Sequence, residues 1–152
     1  MGLQEQITED IKHAFRNRDD LKLSALRMLS SAFHNRAIEK RGKGQGDELT
    51  QDELVVVLRS EVKKRRDAIV EFEKGSRPDL VEKEKKEFEV LEAYLPKEMD
   101  DDSLLSIARD AIKESGAASA KDFGRVMGAV MKRVGGQASG DRVSRAVKEL
   151  LE

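Results

Sequence analysis

Asp122 to Gly136 reads DFGRVMGAVMKRVGG. Val126, Val130 and Val134 recur every four residues with Met127 beside them, which is the pattern of an amphipathic helix. Two glycines, Gly124 and Gly128, lie inside the run. Each costs roughly 1 kcal/mol relative to alanine in a helix interior. Being four apart, they share one helix face, and that face is bare backbone. The first expectation is a neighbouring helix packed closely onto it, so that Gly124→Leu would destabilise the fold. The other is close approach by an RNA sugar-phosphate backbone. A membrane dimer motif is excluded, because Arg125, Lys132 and Arg133 interrupt the apolar run.

Working outward, the spacing of three and four runs the length of the chain, and nothing alternates with period two for long. An all-α fold of seven helices is the expectation. The first spans about Leu3–Asn17, with Leu3, Ile7, Ile11 and Ala14/Phe15 as its apolar stripe. The second, about Asp20–Lys40, carries Ala25, Leu26, Met28, Leu29, Ala32 and Phe33 over a wide arc, which suits a central position. The glycines of RGKGQGD, Arg41 to Asp47, make a loop. Thr50 and Glu53 form a capping box that opens a third helix. Leu54, Leu58, Val62, Ile69 and Phe72 line it, and Gly75 closes it. Pro78 suits the first turn of a fourth helix, which carries Leu80, Val81, Phe88, Leu91 and Leu95.

Pro96 disfavours helix at Leu95, and Asp100, Asp101 and Asp102 favour a new helix N-terminus. A boundary is expected there. It separates an N-terminal helical domain of about four helices, residues 1–96, from a small C-terminal three-helix domain, residues 97–152. The last three helices are expected over about Asp101–Ser115, Ala120–Val134 and Asp141–Leu151. Gly116 ends the first, Ser119 with Asp122 caps the second as a capping box, and Gly135-Gly136 ends it.

Of 152 residues, 39% are charged, yet the net charge is −1. Bulk charge therefore speaks for solubility and not for general polyanion binding. Aromatics are 4% with no tryptophan, which argues against a β-sandwich or a stacking platform for single strands. Without cysteine there is no disulfide frame, thiolate nucleophile or Cys-based zinc site. The opening MGLQEQITEDIKHAF lacks the apolar core of a secretory leader, and no run approaches the ~20 apolar residues of a membrane span. A cytoplasmic protein without a membrane partner is the expectation.

Charge is placed unevenly. Residues 12–43 hold nine Lys/Arg against three Asp/Glu, and residues 79–102 hold four against ten. Either the basic second helix offers a face to RNA phosphates or it packs beside the acidic fourth. Lys63, Lys64, Arg65 and Arg66 point around the whole helix and cannot form one patch. The run reads as a solvated face with intrahelical Glu–Lys/Arg pairs, although Arg65 lies near the apolar stripe, where its stem can pack while its head reaches a carboxylate. His13 and His34 lie on different helices without carboxylates at ligand spacing, so no metal site is assigned. No G-x-S-x-G, G-x-x-x-x-G-K-[ST] or G-x-G-x-x-G motif occurs, and neither a catalytic residue nor a cofactor is assigned. From Lys121 to Glu152, seven cations (Lys121, Arg125, Lys132, Arg133, Arg142, Arg145, Lys148) meet four acids, a local excess of three. Arg142, Arg145 and Lys148 recur every three residues along the final helix, compatible with phosphate contact.

LSALRML (Leu23 to Leu29), EVKKRRDAI (Glu61 to Ile69), EAYLP (Glu92 to Pro96) and DFGRVMGAVMKRVGGQASGDRVSRAVKELL (Asp122 to Leu151) together resemble the YqeY family. Its members are stand-alone relatives of the C-terminal tail of GatB, the B subunit of the glutamine-dependent aspartyl/glutamyl-tRNA amidotransferase. The resemblance covers essentially the whole chain and implies an all-α protein. In the amidotransferase that tail is implicated in holding the tRNA body. Carried over, Lys132, Arg133, Arg142, Arg145 and the turn at Gly135, Gly136 and Gly140 become candidate nucleic-acid contacts, alongside Lys121, Arg125 and Lys148 of the same basic segment. The implied partners are tRNA and amidotransferase or synthetase subunits. The alternative is an interaction module that docks on such an enzyme without touching RNA. The family label, carbon–nitrogen ligase activity with glutamine as amido-N-donor, is not expected of this chain alone. It lacks the long catalytic portion of GatB and the serine–lysine machinery of the amidase subunit.

Overall fold

The computed structural model describes residues 2–152. Among them are seven α-helices, one turn of 3-10 helix and no strand. The helices are α1 (Leu3–Arg16), α2 (Asp20–Gly42), α3 (Gln51–Lys74), α4 (Pro78–Glu92), α5 (Asp101–Ser115), α6 (Phe123–Val134) and α7 (Gly140–Leu151). The 3-10 turn is Ala120–Asp122. The chain forms two compact units, Met1–Leu95 and Pro96–Glu152.

Local chemistry explains most helix ends. Thr50 Oγ1 accepts the Glu53 N–H at 3.2 Å while Glu53 Oε1 accepts the Thr50 N–H at 3.2 Å, so two orphan donors are met reciprocally. Pro78 occupies the first turn of α4, where no N–H is needed. Gly116 and Gly135 close α5 and α6 in the left-handed conformation. Three ends differ from expectation. Helix α2 runs two residues past Lys40, because the positive φ angles of the loop fall later, at Gly44 and Gly46. Helix α4 stops at Glu92, so Leu95 lies outside it in the bend before Pro96. Ser119 and Asp122 do not form a capping box: Ser119 Oγ accepts from the Lys121 N–H, and Asp122 Oδ2 accepts from the Ala118 N–H. With those donors met locally, the segment winds as a 3-10 turn and α6 starts at Phe123 instead of Ala120.

In the first unit, Ile7, Ala25, Leu26, Leu29, Phe33, Leu54, Leu58, Val62 and Leu91 make the core. Helix α2 touches α1, α3 and α4, which is the central position its wide apolar arc requires. Two residues of the expected stripes turn outward: Phe15 is 65% exposed and Met28 is 41% exposed. Both sit about 100° around the helix from a buried predecessor or successor, at the edge of the stripe. The basic α2 does lie against the acidic α4, but its ion pairs run elsewhere. Lys40 and Arg36 reach Glu53 of α3 at 2.6 and 3.9 Å. The α4 carboxylates Glu84 and Glu87 take Arg65 of α3 at 3.1 and 3.3 Å. Lys64 pairs within α3 with Glu61, as a solvated face would, while Arg65 beside the stripe reaches across to α4.

The second unit has its own core of Leu104, Ala108, Ala111, Val126, Val130, Val134, Ala138, Val143, Ala146 and Val147. Helices α5, α6 and α7 pack pairwise around it. The valine stripe of α6 points inward, and the glycines lie on the opposite side. Gly124 and Gly128 are exposed, and a Cβ added to either would meet no atom within 4 Å. Among the described residues no neighbouring helix packs onto the glycine face, and that expectation is corrected: the valine stripe and the half-buried residues beside it pack against the core instead.

Candidate nucleic-acid interface

On α6 the residues opposite the buried valines are Gly124, Arg125, Gly128 and Lys132. Two of the four lack side chains, so helix backbone forms the surface itself, with a cation at each end. Arg125 is held by Asp122 at 3.0 Å, which offsets its charge. Lys132 is exposed and has no carboxylate partner among the described residues. Lys121, in the 3-10 turn leading into α6, is exposed and unpaired in the same sense.

The remaining sequence-predicted residues divide. Arg133 is tied to Glu114 of α5. Arg142 is only 20% exposed and acts as a clamp: its Nη2 donates to the Met99 carbonyl at 2.7 Å and to Asp101 at 2.8 Å. The Met99 N–H in turn donates to the Gln137 carbonyl at 2.7 Å, so the chain entering α5 is fastened to the turn before α7. The neighbouring cap of α5 has a titration signature. Hydrogen bonds from Ser103 hold the Asp100 carboxyl below the usual range, with the nearby Arg142 guanidinium adding attraction. Arg145 and Lys148 point outward from α7, opposite its buried Val143, Ala146 and Val147. Gly135 and Gly136 hold left-handed backbone at φ 54° and 81°. Gly140 is the first residue of α7, capped by Ser139, with open space beside it.

Lys148 ties the far end of α7 to the start of α6. Its Nζ lies 5.7 Å from the centroid of the Phe123 ring. Phe123 was not assigned to the site from the sequence. It is the one aromatic residue between Pro96 and Glu152, next to the first bare glycine. That adjacency was the available signal. The structure thus brings Lys121, Phe123, Gly124 and Lys148 to the start of α6, sets Gly128 and Lys132 further along it, and turns Arg133 and Arg142 to structural contacts.

A profile of the family described as Yqey-like protein matches residues 4–151. The chain belongs to the Yqey-like protein family. Among curated relatives of this Yqey-like chain is the Altered inheritance of mitochondria protein 41, mitochondrial, of Lachancea thermotolerans. It is 37% identical over 89 residues, which cover 59% of this chain and 46% of that protein. The protein of the same name from Saccharomyces cerevisiae is 29% identical over 126 residues, 80% of this chain and 66% of that one. The Candida glabrata protein is 34% identical over 89 residues, 59% of this chain and 47% of its own. The chain thus spans about half to two thirds of the length of the curated relatives it matches. Their names place those relatives in mitochondria, which overturns the expectation of a cytoplasmic protein. The physical reason is plain. A cysteine-free, charge-balanced chain in which no described helix is long and apolar enough to cross a membrane suits any aqueous compartment, so composition could not choose one.

Proposed function

We propose that this Yqey-like protein is a tRNA-binding accessory protein whose two units act as separate domains, and that it holds tRNA through the outer face of α6 and α7. The observation that carries the reading is the open glycine face. A sugar-phosphate backbone approaches a helix closely only where side chains are missing, and Gly124 and Gly128 leave that space empty. Lys121 and Lys132 adjoin it, Lys148 reaches the start of α6 and Arg145 stands outward on α7; none of the four has a carboxylate partner among the described residues, and phosphate contact would satisfy them. In this reading the protein positions RNA and contributes no chemical step of its own.

The test is a filter-binding titration of the full chain with unmodified tRNA over a range of salt. Four phosphate contacts give a log–log slope of about −3, so affinity should fall roughly 60-fold between about 50 and about 200 mM salt. Lys121→Ala with Lys132→Ala should weaken binding and flatten the slope by about 2. Gly128→Leu should block approach without unfolding the helix, since its new side chain meets open space. Binding that is undetectable at low salt, or that Gly128→Leu leaves untouched, sinks the reading.

A further inference from the structure

Of the nine Lys/Arg between residues 12 and 43, five are tied to carboxylates. Lys12 pairs with Glu9, Arg36 and Lys40 with Glu53, Arg41 with Asp47, and Lys43 with Glu39. The other four, Arg16, Arg18, Lys22 and Arg27, have no carboxylate partner among the described residues. They are not scattered. They follow one another in the sequence and occupy one corner of the first unit: the end of α1, the turn after it, and the first two turns of α2. Two acids lie in that corner and both serve α2. Asp19 accepts the Lys22 N–H at 3.2 Å as the helix cap, and Asp20 sits in the first turn, where the helix dipole offsets its charge.

A shallow groove runs from this corner along the outer face of α2, lined by Asp20, Leu23, Ser24, Arg27, Met28 and Ser31. Its floor is polar and small at the serines and apolar at Met28, and Phe15 stands exposed at the end of α1. No carboxylate occurs from Leu21 to Ile38. In a chain with 30 Asp/Glu among 152 residues, that leaves the outer face of α2 unusually free of negative charge. The surface therefore offers uncompensated cations beside exposed apolar side chains.

We propose that this corner and groove dock an acidic amphipathic helix of a partner protein. The partner's carboxylates would meet Arg27 in the groove and Arg16 and Arg18 at the corner, while its apolar residues would cover Leu23 and Met28. From Asp20 to Ser31 the groove is about 16 Å long, which accepts three turns of helix. Nucleic acid fits the same surface less well. Leu23 and Met28 line the groove and would have nothing to cover in a sugar-phosphate backbone, whereas the apolar face of a helix covers them. The inference stands apart from the tRNA reading, because it concerns the other unit and other residues.

The experiment uses the full chain and a fluorescein-labelled helical peptide of about 14 residues, with leucines at spacing three and four and glutamates elsewhere. The control peptide carries lysine at every glutamate position. Fluorescence anisotropy should show binding of the acidic peptide and none of the basic one. Arg18→Glu with Arg27→Glu should weaken it by about tenfold or more, and Met28→Ser should weaken it at unchanged salt dependence. Lys121→Ala with Lys132→Ala should leave it unchanged. Circular dichroism on each variant checks folding, and the exposure of Arg18, Arg27 and Met28 makes intact folding the expected result. Equal binding of both peptides, or an acidic peptide indifferent to the double charge reversal, overturns the proposal. So does a double reversal that reduces tRNA affinity as much as loss of Lys121 and Lys132, since the corner would then be an RNA surface.

Discussion

Replacing Gly124 and Gly128 by alanine should make the second unit more stable. Neither glycine has a positive φ, both lie inside α6, and an added methyl group at either meets no atom within 4 Å. The substitution therefore carries no steric cost, and only the helix propensity term remains. That term is roughly 0.5–1 kcal/mol per site, from the backbone entropy that glycine gains on unfolding. The two sites are one helical turn apart on the same face, so the double variant should gain up to about 1–2 kcal/mol. For a domain of this size each kcal/mol raises the midpoint by about 4–8 °C. Thermal and urea unfolding of the full chain, followed by far-ultraviolet circular dichroism, would read the shift of the second unit's transition. If alanine at either position costs stability by 1 kcal/mol or more, something packs on that face in solution, and the open-face argument fails. A stabilised double variant with weakened tRNA binding would be the clearest result, since it separates the surface's use from its folding.

Other contacts make equally definite expectations. Arg142→Ala should destabilise the second unit by about 1–3 kcal/mol, because the Met99 carbonyl and Asp101 lose their shared donor; Arg145→Ala should leave stability unchanged, and equal midpoints for the two variants would refute the division between clamp and surface. Arg65→Ala should cost about 3–5 kcal/mol in urea unfolding, since it strands Glu84 and Glu87, whose side chains are 12% and 4% exposed, without a cation. Asp100 has a depressed native pKa, so its contribution is present above the unfolded value of about 4 and is lost as pH falls through the native one. Asp100→Asn keeps a cap but cannot titrate, so its stability should fall less on acidification than that of the parent protein; identical acid profiles would show that Asp100 plays no part.

The all-α character, the helix positions and most caps were legible because each depends on a few neighbouring residues. Thr50 with Glu53, Pro78 and Gly116 mark helix ends through local hydrogen bonds and dihedral preferences that tertiary packing did not override. The valine stripe of α6 was equally plain, because a core needs one apolar face. Arg65 was legible too, since an arginine at the edge of an apolar stripe has few ways to keep its head solvated or paired.

Other features needed the tertiary structure. A glycine pair looks the same in sequence whether a helix, a nucleic acid or only water lies against it; the answer depends on which side of α6 meets α5 and α7. Seven cations between Lys121 and Glu152 read as one basic segment, yet Arg133 and Arg142 are spent on acids of α5 that lie 19 and 41 residues away. The basic α2 likewise read as matched by the acidic α4, but its carboxylate partner outside its own helix and loop is Glu53 of α3. Helical periodicity is a property of adjacent residues, and a sequence states it directly. Charge compensation and exposure are sums over neighbours brought together by the fold, so only the packed structure could decide which cations remain for a partner.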